Sequence, residues 1–119
     1  MKRHFRLTRS TDFKRVRNAG KSYAHPLLVL VACPAAENSL KIGVTAGRSV
    51  GGAVQRNRAK RLLREAMRLL LPVIRPGWDL ILIARQPLSA ANCEQVQATL
   101  SQLIRRANLL TPPQNNPDV

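Results

Sequence analysis

Cationic and amide side chains between residues 56 and 68 have the chemistry of an anion-binding surface. On a helix that advances about 100° per residue, six of them fall within an arc of about 140°: Arg56, Asn57, Lys60, Arg61, Arg64 and Arg68. The opposite arc is aliphatic and holds Ala59, Leu62, Leu63, Ala66, Leu69 and Leu70. The pattern predicts a helix that docks on a core with one side and presents cations with the other.

The structural alternative is a solvated surface of internal salt bridges. Glu65 is the only acid in this helix, and it can pair with Arg61 or Arg68 but not with every cation. Like charges four residues apart destabilise a helix by a few tenths of a kcal/mol each, and cations near its N-terminus oppose the helix dipole. A purely structural helix gains nothing from this arrangement, so the sequence favours anion binding.

The loop before this helix is rich in glycine. Gly47, Gly51 and Gly52 allow backbone N–H groups to approach a phosphate closely, and the helix N-terminus adds free donors. The loop matches neither the nucleotide-binding sequence that ends in Gly-Lys-Ser/Thr nor the GxGxxG fingerprint. A flexible connection is the other interpretation of these glycines.

The overall charge points to a polyanionic partner. Twenty Lys and Arg against six acids leave a net charge of +14, whose self-repulsion a polyanion would relieve. Nucleic acid is the first candidate and an anionic membrane surface the second. No apolar run approaches the roughly 20 residues of a bilayer span, and no signal peptide is evident. We therefore expect a cytoplasmic protein without a membrane partner.

Periodicity and turn residues predict the elements that position the basic helix. In chain order they are a helix over 10–20, a short optional strand over 21–25, strands over 27–33 and 40–45, a helix over 53–71, a strand over 78–84 and a last helix capped by Ser89 or Asn92. Turn residues at 37–39 predict that strands 27–33 and 40–45 form an antiparallel hairpin. The order indicates a single-domain α+β sandwich over 1–110, followed by a Pro- and Asn-rich flexible tail over 111–119.

The remaining reactive groups do not form a protein active site. The six acids are scattered singly, whereas metal-dependent nucleases need several converging carboxylates: Asp12, Glu37, Glu65, Asp79, Glu94 and Asp118. His4 and His25 lack an evident partner for acid–base chemistry. Cys33 and Cys93 match no zinc spacing, so two reduced thiols are expected, with a disulfide as the alternative. We predict no catalytic residue and no metal ligand in the chain.

The segment Gly51–Glu65 resembles the signature of the bacterial ribonuclease P protein, roughly Gly-Asn-Ala-Val-x-Arg-Asn-Arg-x-Lys-Arg-x-x-Arg-Glu. Arg6-Leu7, Asp12-Phe13 and Gly20-Lys21-Ser22 are similar to the N-terminal segment of that family, and residues 79–85 are similar to its last strand. The resemblance extends to about residue 110. It implies an α/β sandwich related to a ribosomal-protein domain, with an unusual left-handed βαβ crossover that carries the basic helix, against the general preference for the right hand.

The same resemblance implies a function. The family protein is a non-catalytic subunit of a ribonucleoprotein hydrolase, an endonuclease that matures the 5′ end of tRNA. Its partners would be the catalytic RNA and precursor tRNA, with no obligate protein partner, and Mg²⁺ would be bound mainly by the RNA. A general RNA chaperone, which binds unrelated RNAs equally well, is the alternative that the charge alone leaves open.

Carried over to this chain, the resemblance names two sets of residues. The catalytic RNA would contact Arg48, Arg56, Asn57, Arg58, Lys60, Arg61, Arg64 and Arg68. The 5′ leader of precursor tRNA would lie in a cleft between the first helix and the sheet, against Phe13, Lys14 and Arg17. Phe13 is equally interpretable as a core residue.

The chain departs from the family pattern at several positions. Gly52 stands where Asn is usual, and Ala46-Gly47-Arg48 replaces a typical Ser-Lys-Lys. Arg17 and Val31 occupy positions that are often aromatic. With fewer rings available for stacking, leader binding is expected to depend more on charge.

Overall fold

A computed structural model of the chain describes residues 5–111, and its main elements follow the predicted order. They are α1 (Ser10–Ala19), β1 (Lys21–Ala24), β2 (Leu28–Pro34), β3 (Leu40–Ala46), α2 (Ala53–Arg68), β4 (Trp78–Ala84) and α3 (Cys93–Arg106), with short 3-10 helices at Arg48–Val50, Leu71–Val73 and Gln86–Ala90. The α+β class and the optional strand are confirmed. Of the predicted tail, only Thr111 is described, and its N–H donates to the Val73 carbonyl at 2.8 Å.

The four strands form one mixed sheet in the order β1-β2-β4-β3. β2 is antiparallel to both β1 and β4, whereas β3 is parallel to β4. The predicted hairpin between β2 and β3 is therefore wrong, because β4 lies between them. The reason is burial: Leu80, Ile81 and Leu82 are fully buried, so β4 must be covered on both faces, as a central strand is.

Helix α2 connects the parallel neighbours β3 and β4, which is the βαβ unit that the resemblance implies. A parallel pair needs such a crossover because a short turn cannot return the chain to the same end of the sheet. The left hand of the crossover stays a prediction. The consequence for the site is that the basic helix is held at both ends by strands of the same sheet.

The two faces of the sheet carry different helices. One face packs against α2 and α3 through a large apolar cluster that includes Leu30, Leu63 and Leu100. The other face packs against α1 through a smaller cluster, whose buried members are Leu7, Val16, Val31, Cys33 and Ile81. The alternation of side chains along β2 and β4 separates the clusters. Helices α1 and α2 therefore lie on opposite faces.

Local signals fix the helix ends. Asn92 caps α3 through a capping box: its Oδ1 accepts from the Gln95 N–H at 2.8 Å, and Gln95 Oε1 accepts from the Asn92 N–H at 2.9 Å. Asn92 is thus the cap, not Ser89. Helix α2 ends at Arg68, three residues before the predicted end, because the chain tightens into the 3-10 turn that contains Pro72.

Both cysteines carry free thiols, Cys33 buried and Cys93 half-buried, as expected for reduced residues. Among residues 5–111, no helix combines the length and apolarity that a bilayer crossing requires. Two residues considered as reactive groups in the sequence, His4 and Asp118, lie outside the described residues.

Candidate nucleic-acid interface

Helix α2 docks on the sheet with its aliphatic side and leaves its cations exposed or half-buried. Its buried residues are Ala59, Leu63, Ala66 and Met67. Asn57, Arg58, Arg61 and Arg68 are exposed, whereas Arg56, Lys60 and Arg64 are half-buried. Long side chains that are half-buried can cover apolar surface with their methylene groups while their charged ends stay near water. The amphipathic helix predicted from the sequence is confirmed.

A shallow depression of about 410 Å³ lies along the exposed side of α2. Its lining residues are Asn57, Lys60, Arg61, Arg64 and Glu65. Four of these five were predicted to contact RNA, so the fold brings them together on one surface. No ion pair between described residues involves Lys60, Arg61 or Arg64. The depression therefore keeps a concentrated positive charge.

Glu65, the one acid of the depression, is already paired. Arg68 donates to Glu65 Oε2 through Nη2 at 2.6 Å and through Nε at 3.2 Å. This hydrogen bond and the charge of Arg68 lower the pKa of Glu65. Arg68 is thus the α2 cation whose charge is balanced locally, and we expect it to contribute least to anion binding.

A second segment of the chain adds charge beside α2. Leu7 donates its N–H to the Ile42 carbonyl at 3.0 Å, which aligns Arg6 with the edge of β3. Partial burial lowers the pKa of Arg64, and the positive charge of Arg6 lowers it further. Two arginines that repel each other in this way are stabilised by an anion between or beside them. Arg6 was absent from the predicted site. Its position in the basic N-terminal segment, directly before the apolar Leu7, could have indicated that it lies next to the fold.

The three residues of the Arg56-Asn57-Arg58 motif have different surroundings. Asn57 lines the depression. Arg58 donates through Nε to the Ser89 carbonyl at 2.9 Å and so ties α2 to the 3-10 helix Gln86–Ala90. The Nε of Arg56 is buried and has no hydrogen-bond partner within the described part of the chain. A buried donor without an acceptor is costly, so a movement of Arg56 that brings this N–H to a phosphate oxygen would be favourable.

The loop that leads into α2 depends on one of its glycines. Gly51 has φ of +138°, and a Cβ there would lie 2.9 Å from Gln55 Cβ, so a larger residue is strained in two ways. Gly52 has φ of −77°, and a Cβ there would meet only the flexible Gln55 Oε1, at 3.3 Å. The backbone at Gly52 therefore accepts the Asn that the family usually has. Arg48 is exposed in the same loop.

The N-terminus of α2 has neither a capping side chain nor an acid in its first turn. The first N–H groups of any helix lack intrahelical acceptors, and the dipole makes this end positive. Their direction favours an anion at the same end of the helix as Arg56 and Asn57. The free N–H groups at the helix N-terminus and the cationic side chains thus both attract an anion to this end of α2.

The predicted leader residues lie on α1, on the opposite face of the sheet. Phe13 is half-buried and covers Gly43, where an added Cβ would meet the ring at close range. It packs against the smaller apolar cluster, so the interpretation of Phe13 as a core residue is supported. Lys14 and Arg17 are exposed. Val31 is buried beneath α1 and offers no open surface for stacking.

An ion pair that the sequence did not reveal fixes α1 to the sheet. Arg15 donates through Nη2 to the buried Asp79 at 2.5 Å and to Asp12 at 3.4 Å. The hydrogen bond with Asp79 raises the pKa of Arg15. Arg15 and Asp79 are 64 positions apart in the chain, so no local pattern links them.

Arg15 and Asp79 line a cavity of about 1190 Å³ between the N-terminal end of α1 and the ends of the strands. Its lining carries both signs of charge and includes Arg6, Arg9, Lys41 and Glu37. None of Phe13, Lys14 and Arg17 lines this cavity. The structure therefore separates the predicted leader residues from this cavity on the α1 side.

Three acids and one histidine of the described chain accept hydrogen bonds within the fold. Asp12 and Asp79 accept from Arg15, and Glu65 accepts from Arg68. The Nδ1 of His25 accepts from the Leu27 N–H at 3.0 Å, within the turn before β2. Between residues 5 and 111, His, Cys, Asp and Glu form no group of three or more that could hold a metal ion. The available donor set therefore does not fit a protein-held magnesium site.

Comparison with known proteins gives this arrangement a family. The family model described as Ribonuclease P matches residues 1–108. A ribonuclease P protein component from Herpetosiphon aurantiacus is 47% identical over 109 residues, which is 92% of this chain and 89% of that protein. The chain belongs to the ribonuclease P protein family, and by that membership it is a subunit of an endoribonuclease with an RNA partner.

Solved structures agree with this assignment. The ribonuclease P protein of Staphylococcus aureus superposes with a TM-score of 0.80 at 29% identity, covering 90% of this chain and 98% of that one. The Thermotoga maritima protein gives a TM-score of 0.76 at 30% identity, with 85% and 96% covered. The sandwich implied by the resemblance is thus confirmed as the fold of this family.

Proposed function

We propose that this chain binds the catalytic RNA of ribonuclease P through α2 and supports the endonucleolytic removal of the 5′ leader from precursor tRNA. The observation that carries the proposal is the depression on α2, where Lys60, Arg61 and Arg64 converge without an acidic partner among the described residues. Guanidinium groups match phosphate oxygens in geometry as well as charge. Arg56 lies one helical turn before Lys60, and Arg48 is exposed in the loop that precedes the helix.

The chemistry of cleavage belongs to the RNA in this proposal. Magnesium, bound mainly by that RNA, would activate the attacking water and stabilise the leaving oxygen. The protein contributes charge neutralisation: each phosphate that it contacts releases condensed counterions and favours compact RNA. The pairing of Asp12, Asp79 and Glu65 with arginines supports this division, because those carboxylates are occupied. The assembly would act in the cytoplasm.

The 5′ leader is proposed to lie along α1. Exposed Lys14 and Arg17 supply positive charge there, and the half-exposed ring of Phe13 lies beside them. Because Val31 is buried and Arg17 replaces a ring, the leader would be held by phosphate contacts more than by stacking. Precursor tRNA would thus meet the protein on the face opposite to the one that holds the catalytic RNA.

Reconstitution tests the proposal. The protein is combined with the ribonuclease P RNA encoded by the same genome, at magnesium concentrations that leave the RNA alone nearly inactive, and cleavage of a precursor tRNA is measured. The proposal requires clear stimulation over RNA alone, and stimulation that an unrelated structured RNA of equal length cannot compete away at moderate salt. Equal competition would instead indicate a general RNA chaperone, and no stimulation would exclude the proposed role.

A further inference from the structure

A second group of cations lies at the other edge of the sheet. β1 is the edge strand furthest from β3, and α3 packs beside it. Lys21 Nζ lies 5.7 Å and Arg106 Cζ lies 5.9 Å from the centroid of the Tyr23 ring. Lys21 and Arg106 are both exposed, and Tyr23 is half-buried. We call Lys21, Tyr23 and Arg106 the Tyr23 surface.

Contacts within the protein hold Arg106 in place before any ligand binds. Arg106 donates through Nη1 to the Ala24 carbonyl at 3.1 Å while its guanidinium lies by the ring. The ring in turn packs against the main apolar cluster. A cation held in one orientation loses little conformational freedom when it binds a phosphate. The arrangement thus differs from a set of freely rotating surface lysines.

The charges of the Tyr23 surface are not balanced locally. No ion pair between described residues involves Lys21 or Arg106. Glu94, the acid on α3, lies twelve residues from Arg106, about 18 Å along the helix. Because Lys21 Nζ lies 5.7 Å and Arg106 Cζ 5.9 Å from the same ring centroid, the two charges are at most about 12 Å apart on one small surface.

We infer that the Tyr23 surface is a second RNA-binding site, which takes backbone phosphates on Lys21 and Arg106. The inference rests on the proposed function, since it assumes an RNA partner. The surface is separate from the depression on α2: three strand spacings of about 4.8 Å lie between the edges of the sheet, and α2 packs mainly on the β3 side. One phosphate cannot reach both sites, so the protein would hold two RNA segments.

Adjacent arginines on α3 provide a matched test. Arg106→Gln and Arg105→Gln remove the same charge from neighbouring positions, but only Arg106 contacts the ring and Ala24. Lys21→Gln is a second variant that leaves the Ala24 hydrogen bond intact. Affinity of the full-length proteins for ribonuclease P RNA and for a leader-bearing precursor tRNA is measured across a salt series, with thermal melts as a check on folding.

We expect Arg106→Gln and Lys21→Gln each to weaken binding about three- to tenfold and to reduce the log–log salt slope by about 0.7 to 0.9, the contribution of one phosphate contact. Arg105→Gln should have a smaller effect. A loss confined to ribonuclease P RNA would identify the catalytic RNA as the source of the phosphates, and a loss confined to the precursor would identify the substrate.

Two outcomes would overturn the inference. In the first, the salt slopes of Lys21→Gln and Arg106→Gln equal that of the unsubstituted protein with both RNAs. In the second, Arg105→Gln loses as much affinity as Arg106→Gln. Each is distinguishable from failure of the proposed function, because stimulation of precursor cleavage by the unsubstituted protein is measured separately. If the unsubstituted protein stimulates cleavage but the salt slopes of the variants do not change, the inference is wrong and the proposed function stands.

Discussion

Arg15 on the α1 face and the arginines Arg61 and Arg64 on the α2 face are used in opposite ways. On the α1 face, Arg15 is bound by the buried carboxylate of Asp79 and by Asp12, so its charge serves the fold. On the α2 face, Arg61 and Arg64 line a depression without an acidic partner among the described residues. The net charge of the chain does not distinguish these cases. What identifies a binding surface is charge that the protein leaves unbalanced.

The largest effect is expected where the charge is unbalanced. Replacing Arg61 and Arg64 together with Gln should weaken binding of ribonuclease P RNA about 10- to 100-fold, because two phosphate contacts and their counterion release are lost. Arg68→Gln is the control on the same helix. Since Glu65 already balances Arg68, its loss should be no more than about threefold. Filter binding at constant salt measures the affinity of both variants. If each removed charge at positions 61, 64 and 68 costs the same affinity, the local pairing of Arg68 with Glu65 does not matter for RNA binding.

The α1 face should respond in stability instead. Arg15→Gln leaves the buried carboxylate of Asp79 without its partner and should lower the free energy of unfolding by about 2 kcal/mol, with the partial exposure of Arg15 limiting the loss. Arg17→Gln removes the same charge from an unpaired, exposed position of the same helix and should change stability by less than about 0.5 kcal/mol. Urea titrations followed by circular dichroism measure the difference; similar values for the two variants would show that the ion pair does not hold α1.

The loop before α2 offers a smaller contrast. Gly51→Ala places a Cβ at positive φ and against Gln55, and should cost about 1–2 kcal/mol of stability. Gly52→Asn, at an ordinary φ, should stay within about 0.5 kcal/mol and restore the residue that the family usually has. Thermal unfolding of the two single variants tests the pair. A destabilised Gly52→Asn protein would mean that the departure at position 52 is structurally required.

A conservative change at Phe13 is expected to have a small effect on stability. Phe13→Leu keeps an apolar side chain over Gly43 and should cost about 1 kcal/mol or less. If the ring also contacts the leader, the same variant weakens binding of a precursor tRNA relative to mature tRNA. Comparing the two affinities separates the roles, since a residue that only packs changes both RNAs alike.

Local patterns in the sequence were enough to predict most elements, because their signals are short-range. The amphipathic period of α2, the Pro and Gly breaks and the capping residue Asn92 each act within a few positions. The candidate site was predictable for the same reason: Asn57, Lys60, Arg61 and Arg64 lie on one side of one helix. The family motif then indicated which polyanion to expect.

What the sequence could not supply depends on contacts between distant segments. The turn at 37–39 favoured a hairpin, but strand order is set by which strand must be covered on both faces, and the apolar run of β4 fills that place between β2 and β3. Arg15–Asp79 and Arg106–Ala24 join residues 64 and 82 positions apart, respectively. Such pairs form only in the assembled fold, and no periodic pattern in the sequence predicts them.

The contrast between the two faces is tested most directly by crosslinking in the reconstituted assembly. The photoreactive residue benzoylphenylalanine replaces Arg61 on α2, Arg17 on α1 or, as an exposed control, Glu94 on α3. After irradiation with ribonuclease P RNA and precursor tRNA, position 61 should crosslink to the catalytic RNA and position 17 to the 5′ leader, each above the level at position 94. Crosslinks from position 61 to the leader alone, or no excess over position 94, would contradict the account.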